Sequence, residues 1–177
     1  MAEEERLIHV LQGEHRVSAE PGLILSTVLG SCVSVCLRDP ARAIGGLNHF
    51  LLPGADPSTG RDVKYGAHAM ELLVNAMLRA GAERGRLEGQ IYGGANVYAK
   101  LGRIGEANAL FARAYLRTEG FRLLAEDTGG RVGRRLRFDP RTGIARVQYL
   151  DAAQPELSPG RARRAVIPTA AAGVELF

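Results

Sequence analysis

Two residues of the chain could form a nucleophile and its base, and both lie in or beside apolar segments. Cys32 follows Gly30-Ser31 directly, where two apolar runs meet, and His49 stands inside a third apolar run. A thiol, an imidazole and nearby hydroxyl groups are the parts of a cysteine-dependent hydrolase, because the imidazole can accept the thiol proton and later return it to a leaving group. The pattern therefore indicates Cys32 as a candidate nucleophile and His49 as a candidate base.

Both residues also have an ordinary structural interpretation. Free cysteine behaves as a small hydrophobic side chain, and a histidine among apolar residues commonly completes a core. We interpret Cys36, inside an apolar segment, as core. Cys32 differs because the chain must turn at Gly30-Ser31, which is expected to leave its backbone N–H available as an oxyanion donor. If the strands that carry Cys32 and His49 are adjacent, a thiolate–imidazolium pair would lower the pKa of the thiol.

The composition excludes several other classes of function. The chain has 177 residues, which favours one domain with a real core, and its net charge of +4 is most simply a solvated basic face. No apolar run is long enough to span a bilayer, and residues 1–6 form an acidic N-terminus without an apolar signal core. We therefore expect a cytoplasmic protein with reduced cysteines and no membrane insertion. Basic runs with interleaved aromatic residues are lacking, so nucleic-acid binding is not expected, and Cys32 and Cys36 have no second Cys/His pair for zinc.

Periodicity predicts strands first, then two separated helices among further strands. Gly30-Ser31 is predicted to form a tight hairpin turn between the first two long strands. The predicted strands cover 23–29, 33–37, 44–52, 87–92, 121–125, 136–138 and 145–149, and the predicted helices cover 65–80 and 105–119. This order indicates one α+β domain, a layered α/β sandwich with mixed or antiparallel sheets and two main helices. The pattern ends at residue 151, which predicts a domain over 1–150 and a tail or surface arm over 151–177.

A series of short motifs follows one another between residues 21 and 150. The segments are 29–33, 45–46, 49–53, 64–65, 93–95, 104–106, 108, 126–130 and 142–143. The combination of Gly-Ser-Cys with His-x-x-Leu-Pro at this spacing is the most specific part. In these motifs the chain resembles the CheD family of chemoreceptor glutamine deamidases.

The resemblance implies a Cys–His–Thr catalytic set in a fold that also resembles bacterial deamidating toxins. The cysteine and the histidine of this set correspond to Cys32 and His49 in this sequence. In the family pattern the threonine stands six residues before the cysteine, a position that Ser26 holds here, with Thr27 beside it. The pattern favours Ser26 as the third catalytic residue. An ideal hairpin through the Gly-Ser turn favours Thr27, because it would put Thr27 and Cys32 on one face. We take Ser26 as the prediction and Thr27 as the alternative.

The resemblance also implies an activity and partners. A family member would be a protein-glutamine deamidase, a hydrolase that converts glutamines of methyl-accepting chemotaxis receptors to glutamates through a cysteine thioester, in chemotaxis adaptation. Such chemistry needs no metal and no organic cofactor. The alternative is a non-catalytic adaptor that binds chemoreceptors and a CheC-type phosphatase and regulates the phosphatase.

Overall fold

The computed structural model describes residues 4–52, 61–97 and 103–150, together with the strand Arg163–Val166. In this part of the chain, strands form two sheets and two helices cover one of them. The strands are β1 (Arg6–His9), β2 (His15–Ser18), β3 (Leu23–Leu29), β4 (Val33–Asp39), β5 (Ile44–Asn48), β6 (Glu88–Gly93), β7 (Arg122–Thr128), β8 (Arg134–Phe138), β9 (Ala145–Tyr149) and β10 (Arg163–Val166). The helices are α1 (Arg61–Arg79) and α2 (Ile104–Glu119), and a short 3-10 helix covers Arg84–Arg86.

Both sheets have five strands and mixed pairing. The first sheet has the order β1-β3-β8-β9-β10 and the second has the order β2-β5-β4-β6-β7. β1 pairs parallel with β3, and β6 pairs parallel with β7, whereas the other neighbours are antiparallel. The predicted class, a layered α+β sandwich with mixed sheets and two main helices, is confirmed.

Two apolar cores hold the structure together, one between the helices and the second sheet and one between the two sheets. Strand alternation divides β4 between them, since Val33, Val35 and Leu37 pack toward the helices while Cys36 packs toward the first sheet. Leu25 on β3 belongs to the same layer as Cys36, between the two sheets. The side chains of β4 thus connect both cores, and its N-terminal end, where Cys32 lies, is anchored on both faces.

The hairpin predicted between β3 and β4 is wrong. β3 pairs with β8 in the first sheet, and β4 pairs with β5 and β6 in the second. Gly30-Ser31 therefore carries the chain across a corner from one sheet to the other. The physical reason is that Leu25 and Leu29 of β3 bury their side chains against the second sheet, which a hairpin within one sheet would not allow.

β10 pairs antiparallel with β9 at the edge of the first sheet. The rest of the segment 151–177 lies outside the described residues, so the domain boundary at residue 150 stays a prediction. Neither α1 nor α2 is long and apolar enough to cross a membrane, as judged over the residues that the structure describes.

Candidate active site

Three parts of the chain meet around the imidazole of His49. β3 contributes Thr27, the segment after β1 contributes the backbone carbonyl of Val10, and His49 follows β5 directly. Thr27 Oγ1 lies 2.7 Å from His49 Nδ1 and donates a hydrogen bond of 2.6 Å to the Val10 carbonyl oxygen. His49 Nδ1 is also 3.4 Å from this carbonyl oxygen. Thr27 and His49 are both buried, so the arrangement is shielded from water.

This arrangement fixes the tautomer of His49. The single hydroxyl proton of Thr27 is donated to Val10, so Thr27 Oγ1 can only accept at Nδ1. The second neighbour of Nδ1, the Val10 carbonyl oxygen, is also an acceptor. The proton of the neutral ring therefore sits on Nδ1, which leaves Nε2 with a free lone pair. Nε2 is buried and has no hydrogen-bond partner within the described residues. Its lone pair is therefore available to accept a proton.

The structure corrects the prediction that Ser26 contacts His49. Ser26 Oγ is buried and has no partner among the described residues, whereas Thr27 makes the contact. Neighbouring residues of a strand point to opposite faces, and Thr27 shares its face with Leu25 and Leu29, which lie between the sheets. Ser26 points to the outer face of the first sheet. The alternative, Thr27, is thus the hydroxyl that the structure brings to the imidazole.

Cys32 lies on the same face of the second sheet as His49. The antiparallel register of β4 and β5, with Val33 opposite Phe50, puts His49 diagonally across from Cys32. Diagonal neighbours of this kind have Cα atoms about 7–8 Å apart, within reach of a ring and a thiol. Cys32 packs at the edge of the apolar layer between the sheets and is half-buried. The register therefore puts the predicted nucleophile and base on one face of the second sheet, across strands rather than along a hairpin.

Burial acts against the charged forms of both the thiol and the imidazole. Burial raises the pKa of the Cys32 thiol above its ordinary value, although a hydrogen bond from its own backbone N–H acts in the opposite direction. Burial lowers the pKa of His49, against smaller opposing effects of the Val10 carbonyl and the charge of Glu14. The thiol hydrogen bonds to Gln12 Oε1 at 3.5 Å. Burial therefore favours the neutral forms of both groups over the expected thiolate–imidazolium pair.

Glycine residues hold the backbone of the nucleophile in place from the side of β6. The backbone N–H of Gly94 donates to the Cys32 carbonyl at 2.8 Å, and that of Ala95 donates to the Gly30 carbonyl at 2.9 Å. Gly93 has φ +106°, and a Cβ there would lie 2.3 Å from the Cys32 carbonyl oxygen. Only glycine allows this close approach of two backbones.

A cavity of about 190 Å³ opens beside His49, between the second sheet and α1. Glu14, Asn48, Tyr65 and His68 are among its lining residues. His68 is an exposed residue of α1. In the described part of the chain, no group of three or more His, Cys, Asp or Glu side chains is arranged to hold a metal ion.

Sequence reasoning missed two groups of the site, the Val10 carbonyl and the Gln12 side chain. A backbone carbonyl has no residue type, so no motif could reveal the partner of Thr27. Gln12 precedes Gly13, whose φ of +87° marks a tight turn, and Gly13 N–H donates to the His49 carbonyl at 2.7 Å. The turn itself is visible in the sequence, but its contact with His49 depends on the pairing of β2 with β5.

The fold and the site define a class of protein: a layered α+β chain with a buried hydroxyl–imidazole pair and a half-buried thiol on the same face of one sheet, the candidate groups of cysteine-dependent acyl transfer. The family model described as CheD chemotactic sensory transduction matches residues 51–149. The chain belongs to the CheD family, as the sequence resemblance predicted.

Relatives match more of the chain than the family model does. The chain is 47% identical over 176 residues to a protein of Rhizobium meliloti (strain 1021), covering 97% of this chain and 96% of the relative. It is 53% identical over 145 residues to a protein of Sinorhizobium medicae (strain WSM419), covering 80% and 79%. Both relatives are named "Probable chemoreceptor glutamine deamidase CheD".

A solved structure shares the fold. The crystal structure of a Neisseria meningitidis protein of the DUF152 family matches with a TM-score of 0.50 and 10% sequence identity. The match covers 72% of this chain and 65% of that protein. At this identity the likeness describes the fold alone.

Proposed function

We propose that the protein is a chemoreceptor glutamine deamidase in which Cys32 is the nucleophile, His49 the base and Thr27 the hydroxyl that orients the imidazole. The observation that carries the proposal is the buried hydrogen-bond chain from Val10 through Thr27 to His49 Nδ1, which leaves Nε2 free as a base. The names of the relatives supply the substrate, a glutamine side chain of a chemoreceptor.

The reaction begins with the transfer of the Cys32 thiol proton to His49 Nε2. The sulfur then attacks the carboxamide carbon of the substrate, and the carbonyl oxygen becomes an oxyanion that accepts a hydrogen bond from the Cys32 backbone N–H. His49 returns the proton to the nitrogen of the leaving group, the C–N bond breaks, and ammonia departs. Nε2 next takes a proton from water, whose hydroxide attacks the thioester. The C–S bond breaks, the proton returns to sulfur, and glutamate remains.

The neutral partner of His49 suits this proton shuttle. A carboxylate in place of Thr27 would stabilise the imidazolium and raise its pKa. The hydroxyl and the Val10 carbonyl orient the ring while burial keeps the pKa of His49 low. A weakly basic imidazole gives up its proton readily, which favours protonation of the departing nitrogen.

The proposal includes a cytoplasmic location and a catalytic unit over residues 1–150. It also separates the enzyme from the adaptor alternative. An adaptor for chemoreceptors and a CheC-type phosphatase would keep its effect on adaptation when Cys32 is replaced, because binding does not need a nucleophile.

The test is the release of ammonia from a purified chemoreceptor fragment that carries its glutamines. The full chain should release ammonia, Cys32→Ala should release none above background, and Cys36→Ala should retain activity because that thiol is buried in the core. Unchanged release with Cys32→Ala would overturn the assignment of the nucleophile.

A further inference from the structure

Asn108 on α2 connects the two backbone segments that carry the candidate nucleophile and base. Its side chain is completely buried, with an exposed fraction of 0%. Nδ2 donates a hydrogen bond of 2.7 Å to the carbonyl of Ser31, the residue before Cys32. Oδ1 accepts a hydrogen bond of 2.9 Å from the backbone N–H of Leu52, three residues after His49. One amide side chain thus bridges both halves of the site.

The two partners fix which end of the amide faces which segment. A backbone N–H can only donate and a backbone carbonyl can only accept, so Oδ1 must face Leu52 and Nδ2 must face Ser31. Neither aspartate nor leucine can reproduce this pair of contacts, because a carboxylate has no donor and leucine has neither donor nor acceptor.

The contact at Ser31 controls the direction of the Cys32 N–H. The Ser31 carbonyl and the Cys32 N–H belong to one planar peptide unit, in which they point in opposite directions. The neighbouring carbonyls of Gly30 and Cys32 are held by the backbone N–H groups of Ala95 and Gly94. The Ser31 carbonyl is instead held by a side chain, so its peptide plane depends on Asn108.

We propose that Asn108 is a positioning residue that holds the Ser31–Cys32 peptide so that the Cys32 N–H faces the thiol and the developing oxyanion. This inference rests on the proposed function, in which that N–H is an oxyanion donor. Without the Asn108 donor the peptide is free to rotate, and the N–H leaves the reacting atoms. Asn108 contacts no substrate atom in this account and acts only through the backbone.

Two variants separate the donor from the shape of the side chain. Asn108→Leu removes the donor at every pH, and kcat should fall by about 100-fold, the usual cost of one lost oxyanion donor, with a much smaller change in KM. Asn108→Asp restores a donor only when the new carboxyl is protonated. Its kcat relative to the wild type should therefore be higher at low pH and fall as pH rises through the titration of that carboxyl.

A second measurement tests the orientation of the Ser31–Cys32 peptide without any substrate. The Cys32 N–H also hydrogen bonds to its own sulfur and stabilises the thiolate. Asn108→Leu should therefore shift the pH dependence of Cys32 alkylation by iodoacetamide to higher pH. Cys32→Ala supplies the background from Cys36. This measurement stays valid if the wild type releases no ammonia, in which case the proposed function fails while the role of Asn108 is still tested.

Gln90 provides the matched control, because it is another buried amide with both ends bonded. Its Nε2 donates to the Gly143 carbonyl at 2.8 Å, and its Oε1 accepts from Tyr92 at 2.7 Å, away from the Ser31–Cys32 peptide. Gln90→Leu should lower stability and leave both kcat per folded molecule and the alkylation profile unchanged. The inference is overturned if folded Asn108→Leu keeps the wild-type kcat and alkylation profile, if the relative kcat of Asn108→Asp does not vary with pH, or if Gln90→Leu causes the same shifts.

Discussion

Two neutral hydrogen-bond acceptors, rather than a carboxylate, orient the imidazole of His49. Thr27 Oγ1 and the Val10 carbonyl both receive the Nδ1 proton of His49, so Nε2 is left as the basic nitrogen. Burial then keeps the ring neutral. Burial also raises the pKa of the Cys32 thiol, so in the proposed mechanism the thiolate forms when its proton moves to Nε2.

At the residue scale, the hydroxyl at position 27 should matter and the one at position 26 should not. Thr27→Val removes the acceptor at Nδ1 and should lower kcat/KM by about 10- to 100-fold, within the range of acid–base contributions. Thr27→Ser keeps the hydroxyl and should restore most of the loss. Ser26→Ala should stay within about twofold of the wild type, since its hydroxyl faces away from His49. Measured kcat/KM values on a receptor fragment decide, and a larger loss for Ser26→Ala than for Thr27→Val would contradict the assignment.

The pH dependence follows from the two neutral groups. The pKa of His49 lies below its ordinary value of 6.5, so its base function should be lost only when pH falls below that value. The pKa of Cys32 lies above 9.0, so its alkylation rate should still be rising with pH at 9.0. Profiles of kcat/KM and of iodoacetamide alkylation test both directions. A thiol that is already fully reactive at neutral pH would indicate a resting ion pair instead.

Residue types were sufficient to nominate a thiol and an imidazole as candidates, but not to choose the hydroxyl that contacts His49. Ser26 and Thr27 both carry a hydroxyl but occupy opposite faces of β3, and which face meets His49 depends on the sheet that β3 joins. The Val10 carbonyl and the role of Asn108 likewise depend on tertiary contacts that no local pattern encodes.

At the scale of elements, the corner between β3 and β4 determines the site. It places Thr27 on one sheet and Cys32 at the edge of the other, so these two candidate residues lie on the two sides of the layer between the sheets. The helices were predicted well because their apolar periodicity and the glycine after α2 are local signals, and Gly120 is left-handed as such an ending requires. The corner was not, because a Gly-Ser link between two apolar strands suits a hairpin and a crossover equally.

Gly93 should be essential to this corner for a steric reason. Gly93→Ala puts a Cβ against the Cys32 carbonyl oxygen and should lower kcat by about 10- to 100-fold through displacement of the nucleophile. Gly129→Ala is the matched control, because its φ of +83° imposes similar backbone strain while no atom lies within 4 Å of the added Cβ. Each variant should lose about 1–2 kcal/mol of stability from the left-handed conformation, and Gly93→Ala should lose more because its Cβ also meets the Cys32 carbonyl. Equal kcat values per folded molecule would show that the contact with Cys32 is unimportant.

At the scale of the whole molecule, a buried ion pair joins the two sheets. Arg134 on β8 donates to the Asp127 carboxylate on β7 at 2.6 Å, and Tyr149 on β9 donates to the other carboxylate oxygen at 2.5 Å. The side chains of Arg134 and Asp127 are 3% and 8% exposed. The carboxylate would remain buried if its cation were removed.

Arg134→Met should therefore lower the free energy of unfolding by about 3–5 kcal/mol, because an unpaired buried charge is left behind. Arg122→Met is the control. Arg122 pairs with Glu88, but its side chain is half-exposed. Loss of this pair should lower the free energy of unfolding by less than about 1 kcal/mol. Urea denaturation measures both, and equal losses would mean that Arg134 does not hold the sheets together.

In the proposed mechanism the side-chain acyl group of a receptor glutamine forms a thioester with Cys32 as ammonia leaves, and water then releases glutamate. Hydroxylamine added to the deamidation assay competes with water for such a thioester and converts the glutamine to a glutamyl hydroxamate, which mass spectrometry locates on the receptor. The account predicts hydroxamate and glutamate at the same glutamines with the wild type and neither with Cys32→Ala. Glutamate formation at an undiminished rate with Cys32→Ala, and no hydroxamate with the wild type, would contradict it.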